Sequence, residues 1–389
     1  MANTILILGN GFDIAMGRKT KYTDFIEFEK QLFSNSDEKL LEFLKAKNIS
    51  IEKYKNNLYL RFINGNEETL GKNWSNIELM ISQLADAIMY FKENSSLLYS
   101  NQLNRPLKSI IEQHKIDWRM SANYSSKLYI AYTFLSLFDE KGWSFLEREV
   151  ALDELNNEFI RQLDLLIELL EIYLSYRDFL DFEVRNIKSK LTALDAIRYL
   201  SHAYILNFNY TNTSEYLFGT FDTLTHFIHG RIDLDRTFSR INTMVFGIED
   251  KEINVNSDLI PYQKYYQRVV KETGKKFEDF FCIRNLKKRD IPGSNLQTIQ
   301  GTSKNIVVFG HSVDPLDKEI FQKCFELTIT RKYNSRFIFT YFDEQAKRSI
   351  IKNLAIILGK EKLIELTGKQ KIVFIKSDDK DGMKEVLIP

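Results

Sequence analysis

Four short polar segments, each closing an apolar run, hold the residue types in this chain that could do chemistry. The run at residues 4–8 gives way to Gly9-Asn10-Gly11-Phe12-Asp13, and that at 203–208 to Asn209-Tyr210-Thr211. The run at 224–228 ends in His229-Gly230, and that at 305–309 in Gly310-His311-Ser312-Val313-Asp314-Pro315-Leu316-Asp317. Glycines two apart let the backbone turn sharply and approach a ligand with no Cβ in the way, and the helix start behind them offers amide hydrogens to a phosphate. The same turn also serves as a bare strand-to-helix connection. An imidazole titrates near neutral pH, which suits His229 to act as a base, and His311 likewise falls directly after a strand. Asn209 can orient a ribose or a water through its amide without adding charge, while Asp13 could face a ribose and Asp13, Asp314 or Asp317 could hold a divalent metal.

Each segment alone is an ordinary strand end. In an open α/β sheet, however, ligands sit outside the carboxyl ends of the strands, so four polar strand ends converge on one crevice and predict a small-molecule site there. The strands are the apolar runs already named, with further runs at 244–247, 336–341 and 371–375 and a helix at 343–366. Short hydrophobic strands alternating with helices predict an α/β fold with a doubly wound, mostly parallel, Rossmann-like sheet built from residues 1–20 and 200–389. Residues 21–199 are then a large all-helical insertion. Thr20 or Thr23 could cap its first helix, and Trp74 and Glu78 lie four apart on a helix face, read as a core aromatic and a solvated first-turn acid. The stripe Leu152, Leu155, Phe159, Leu163, Leu166, Leu170 and Tyr173, with further apolar residues beside it, predicts a largely buried helix, in a bundle or at a subunit contact. At 264–289 nine Lys or Arg interleave with five aromatics. That pattern suits either a phosphate backbone with stacked bases or a solvated helix whose aromatics turn to the core.

The bulk numbers exclude several classes. The 389 residues are 44% hydrophobic and 28% charged, as in a globular protein with room for two domains, and a net charge of +1 implies no global attraction to nucleic acid or membrane. Cys282 and Cys324 are the only cysteines, too few for a disulfide framework or a four-cysteine zinc site. With no basic leader ahead of the first strand and no run of about 18 apolar residues, a cytoplasmic protein with no membrane contact is expected.

Gly-Asn-Gly-Phe-Asp, Asn-Phe-Asn-Tyr-Thr, His-Phe-Ile-His-Gly and Phe-Gly-His-Ser-Val-Asp-Pro-Leu-Asp, in this order, resemble the bacteriophage abortive-infection AbiH family. The same blocks resemble a divergent form of the sirtuin-like NAD-binding fold of bacterial defence proteins. That resemblance implies that Asn209 sits at the nicotinamide ribose and His229 is catalytic, with Gly9 and Gly11 forming the pyrophosphate loop and Ser312 contacting the nucleotide. It extends nucleotide contact to Asn10, Phe12, Asp13, Thr211, Gly310, His311, Asp314 and Asp317. The chain departs from the pattern at Asn10 and Asp13, where the fold has alanine and serine, and at Thr211, where it has aspartate. It also lacks the zinc ribbon of the deacetylating sirtuins. The implied activity is hydrolysis of NAD, as substrate, to ADP-ribose and nicotinamide, with no metal required. Two alternatives stand beside it. One is a metal-dependent hydrolase or transferase on another nucleotide, using Asp13, Asp314 or Asp317. The other is a non-catalytic sensing or nucleic-acid-binding module, with Lys287, Lys288 and Arg289 in the basic stretch. A homo-oligomer through the helical insertion and a phage-derived trigger are the partners expected.

Overall fold

The computed structural model describes residues 4–34, 37–65, 74–93, 148–248, 259–273, 277–281, 304–329 and 335–388. The chain divides into two compact units, one of Met1–Thr20, Arg177–Ile232 and Thr273–Pro389, the other of Lys21–Tyr176 and Asp233–Glu272. This differs from the expected boundaries in two places: residues 177–199 fall with the sheet, and 233–272 fall with the helices.

The first unit is built on six parallel strands: β1 Thr4–Leu8, β2 Tyr204–Asn207, β3 Thr225–Phe227, β4 Lys304–Phe309, β5 Ser335–Tyr341 and β6 Ile372–Lys376. Their order is β3-β2-β1-β4-β5-β6, the doubly wound arrangement whose direction reverses between β1 and β4. Alternation of side chains explains why these runs are apolar throughout. Ile5, Ile7, Leu206, Val308 and Phe339 pack on one face against Phe321 and Phe325 of the helix Lys318–Ile329 and Leu354 of the helix Glu344–Leu358. Leu6, Leu8, Ile205, Val307 and Ile338 pack on the other face, with Phe12, Met16 and Met383. The single helix expected at 343–366 is two, Glu344–Leu358 and Lys360–Gly368, because Gly359 takes a left-handed φ of 83° between them.

In the second unit the described helices are Tyr22–Ser34, Glu38–Ala46, Leu58–Gly65, Trp74–Glu93, the long helix from Arg148, and Lys264–Val270. The long helix is buried in this bundle through Phe159, Leu163, Leu166, Leu170 and Tyr173. Trp74 packs on Tyr22, Phe25 and Phe246, at centroid distances of 5.6, 5.7 and 6.0 Å. Glu78 is not a solvated acid: it pairs with buried Lys264 at 3.0 Å. A lysine that deep needs a counter-charge, which the sequence does not place opposite it. Residues 244–247 are not a strand either. They lie in this unit, and Gln267 takes a strand partner's role by bonding the Phe246 amide and carbonyl, at 3.1 and 3.2 Å. In the basic stretch Phe277, Phe280 and Phe281 turn to the core. Lys287, Lys288 and Arg289 lie outside the described residues.

Candidate functional site

Strand register brings the four polar segments to one edge. Leu8 pairs with Asn207 on one side and Phe309 on the other, and Asn207 pairs with Phe227, so β3, β2, β1 and β4 end level with one another. The residues just beyond them emerge side by side. Neighbouring strands are about 4.8 Å apart, so β3 and β4 alone would hold His229 and Asp317 about 14 Å from each other. Yet His229 Nε2 lies 3.0 Å from Asp317 Oδ1. The segment after β4 closes the gap by crossing the end of β1.

Glycine makes that crossing possible. A Cβ on Gly9 would fall 2.6 Å from the Gly310 carbonyl and 2.7 Å from the His311 Cα, and one on Gly11 would fall 2.7 Å from the Gly310 Cα. The Gly11 amide donates to the Gly310 carbonyl at 2.8 Å, the Gly9 amide to Phe309 at 3.0 Å, and the Phe12 amide to Gly9 at 2.8 Å. The turn that sequence alone reads as a phosphate loop therefore spends these amides inside the protein. Gly310 itself sits at φ +68°, where a Cβ would also collide with the Phe12 amide nitrogen.

Past the crossing, His311 and Asp317 meet the end of β2. The Phe208 ring contacts His229 and His311 edge-on, at 5.5 and 4.4 Å between centroids, and Phe321 closes on His311 at 5.0 Å. His311 Nδ1 accepts the Val313 amide at 2.8 Å, which puts its proton on Nε2, and Nε2 lies 3.6 Å from Asp317 Oδ2. Val313, a β-branched residue, pays for this turn with a φ of 57°, offset by complete burial of its side chain. Asp314 caps the short turn Pro315–Asp317 by accepting the Leu316 amide at 3.0 Å. Asn209 is buried and its Nδ2 donates to the Gly9 carbonyl at 3.0 Å, which leaves Oδ1 as the atom it can turn to a ligand. Asn207, which sequence reasoning passed over, holds that turn from both sides: its Oδ1 accepts the Asn209 amide and its Nδ2 donates to Thr211, at 3.0 and 3.1 Å. An Asn-x-Asn spacing at a strand end was the available signal.

Other expected ligand contacts have internal duties. Asn10 exchanges two hydrogen bonds with Thr20 (2.7 and 3.2 Å), closing the loop between them. Phe12 is a core residue, edge-on to Phe309. Asp13 is buried, accepts from Thr211 at 2.7 Å and from Thr213, and lies 3.8 Å from Arg18. Burial raises its pKa, with Arg18 opposing. Arg18 also pairs with Asp178 and, at 3.0 Å, with Asp181, residues at the end of the long helix and in the π turn Phe179–Val184 that follows it. Asp13, which departs from the serine of the resembled fold, is therefore turned to a guanidinium inside the protein. Sequence could not pair Asp13 with residues more than 160 positions away. Ser312 is exposed. Among the described residues no group of three or more His, Cys, Asp or Glu is arranged to hold a metal ion, and Asp13, Asp314 and Asp317 serve three separate tasks. A cavity of about 290 Å³ lies at the opposite edge of the sheet, lined by Ser335, Phe337, Ile372 and neighbouring lysines, of which Lys362 and Lys369 both pair with Glu365 at 3.1 and 2.8 Å.

Fold and site together define an α/β protein of doubly wound parallel topology with a histidine–aspartate pair at its carboxyl edge. The chain matches the family model described as bacteriophage abortive infection AbiH over residues 5–341 and belongs to that family. Its role is accordingly in abortive infection, a form of antiviral defence. No curated protein and no solved structure matches it. Among the described residues no helix is long and apolar enough to cross a membrane.

Proposed function

We propose that the chain is an abortive-infection effector that hydrolyses NAD to ADP-ribose and nicotinamide, with His229 as general base and Asn209 orienting the ribose or the attacking water. The observation that carries this reading is the His229–Asp317 contact of 3.0 Å at the carboxyl edge of the β3-β2-β1-β4 strands. A carboxylate facing Nε2 makes Nδ1 the basic nitrogen of the neutral ring. In the reaction the bond from ribose C1′ to the nicotinamide nitrogen breaks and its electron pair leaves with nicotinamide, which departs neutral. Water oxygen bonds to C1′ and its proton passes to His229. The transition state resembles an oxocarbenium ion, so it needs a base and an oriented water more than a strong acid. Because the Gly11 and Phe12 amides are donated within the protein, the pyrophosphate is assigned to the turn after β4, beside exposed Ser312. The helical unit is the proposed surface for a phage-derived trigger or a second copy.

The test is incubation of the purified protein with NAD, alone and with extract of phage-infected cells, followed by chromatography of the products. Nicotinamide and ADP-ribose should form, insensitive to chelator, and His229→Ala should lower turnover by about 10²–10⁴-fold, the usual worth of a general base. Wild-type turnover in His229→Ala, or no cleavage under either condition, overturns the reading. Loss of activity in chelator with recovery in Mg²⁺ would point to metal-dependent chemistry instead.

A further inference from the structure

We propose that Asp317 is the positioning residue of this site, a carboxylate shared between two imidazoles that fixes which nitrogen of His229 carries the proton. The inference deepens the reading of His229 as base and rests on it. Sequence resemblance makes Asp317 a nucleotide contact, but its two oxygens are turned the other way, Oδ1 to His229 Nε2 at 3.0 Å and Oδ2 toward His311 Nε2 at 3.6 Å. All three side chains are at least nine-tenths buried, and Phe208 covers both rings.

The two histidines differ in what their other nitrogen does. His311 Nδ1 is committed as acceptor to the Val313 amide at 2.8 Å, so this ring braces and does not exchange protons through that atom. A carboxylate oxygen can only accept, so His229 must present Nε2–H to it and keep its lone pair on Nδ1. A buried carboxylate that orients an imidazole and stabilises the imidazolium formed on proton uptake is how hydrolytic triads make histidine an effective base.

The delivery of Asp317 is itself built in. Asp314 caps the turn, Pro315 begins it with its φ already set, and Asp317 ends it at the start of the helix Lys318–Ile329. The spacing Asp-Pro-Leu-Asp is the geometry of that turn, and Gly9 and Gly310 are what allow it to reach His229 across β1.

The experiment is long-range ¹H–¹⁵N correlation spectroscopy on protein labelled at histidine, with His229→Gln and His311→Gln for assignment. Wild type should show both rings as the Nε2–H form. In Asp317→Ala the His229 signals should move to a mixture of tautomers, with kcat for NAD reduced by up to about 10²–10⁴-fold and KM unchanged; Asp317→Glu should restore part of both. His229 as the Nδ1–H form in wild type overturns the proposal without any need for a folded variant. So does an Asp317→Ala protein of wild-type circular dichroism whose His229 keeps a single Nε2–H form. Because the spectrum contains no substrate, Nε2–H signals in a protein that never cleaves NAD would sink the NAD reading while leaving Asp317 as the group that orients His229.

Discussion

Arg18 is a buried guanidinium whose partners all belong to the first unit. Its guanidinium lies over Phe182 at 4.8 Å and faces Asp13, Asp178 and Asp181, while Arg177 adds a second cation on Asp181 at 2.9 Å. Burial pushes Asp178 up to about 6, with Arg18 opposing the shift and the charges of Asp13 and Asp181 adding to it. The raised value means that the folded protein binds a proton the unfolded chain releases. Stability from this group is present in full below its ordinary 3.8 and is lost as pH rises through about 6. Denaturant unfolding from pH 3 to 8 should show that falling contribution in the wild type and its disappearance in Asp178→Asn. An unchanged profile in the variant would assign the slope to another group.

At the scale of the element, the turn after β4 is where local sequence and tertiary packing meet. Gly310 and Gly219 share a left-handed φ, +68° and +61°, but a Cβ at 219 meets nothing within 4 Å while one at 310 strikes the backbone of residues 11 and 12. Gly219→Ala should cost only the conformational penalty of about 1–2 kcal/mol. Gly310→Ala should cost several kcal/mol or displace the turn, and in a displaced turn the His229–Asp317 contact is lost. Chemical denaturation of the two variants measures the difference directly, and equal costs would mean the crossing of β1 is looser than the distances state. The strands of the sheet and all four polar ends were legible in the chain, because apolar runs and the polar residues that close them are local signals. The roles of Asn10, Asp13 and Thr211 were not, since each is set by a partner brought in by folding.

For the molecule as a whole, family membership and the carboxyl-edge site make one joint expectation. Cells expressing the wild-type chain should lose NAD after phage infection and restrict phage yield, and cells expressing His229→Ala should do neither. Protection that persists with undiminished NAD would separate the defence role, which belongs to the family, from the chemistry proposed for the site. The measurement is an extract NAD assay timed against phage titre.

The chain by itself determined the α/β class, the strands that meet at the site, and its candidate histidines, because hydrophobic period and strand-end chemistry are written in neighbouring residues. It also determined the family, through four motifs in fixed order. Only the tertiary structure decided that 233–272 pack with the helices, that 244–247 form no strand, and that Glu78 belongs to Lys264. It alone turned Asp13 inward to Arg18 and brought Asp317 to His229. Those outcomes depend on which buried charge finds a counter-charge and which backbone can pass over a glycine, and apart from Asp13 and Arg18 such pairings join residues far apart in the chain, which no local pattern relates.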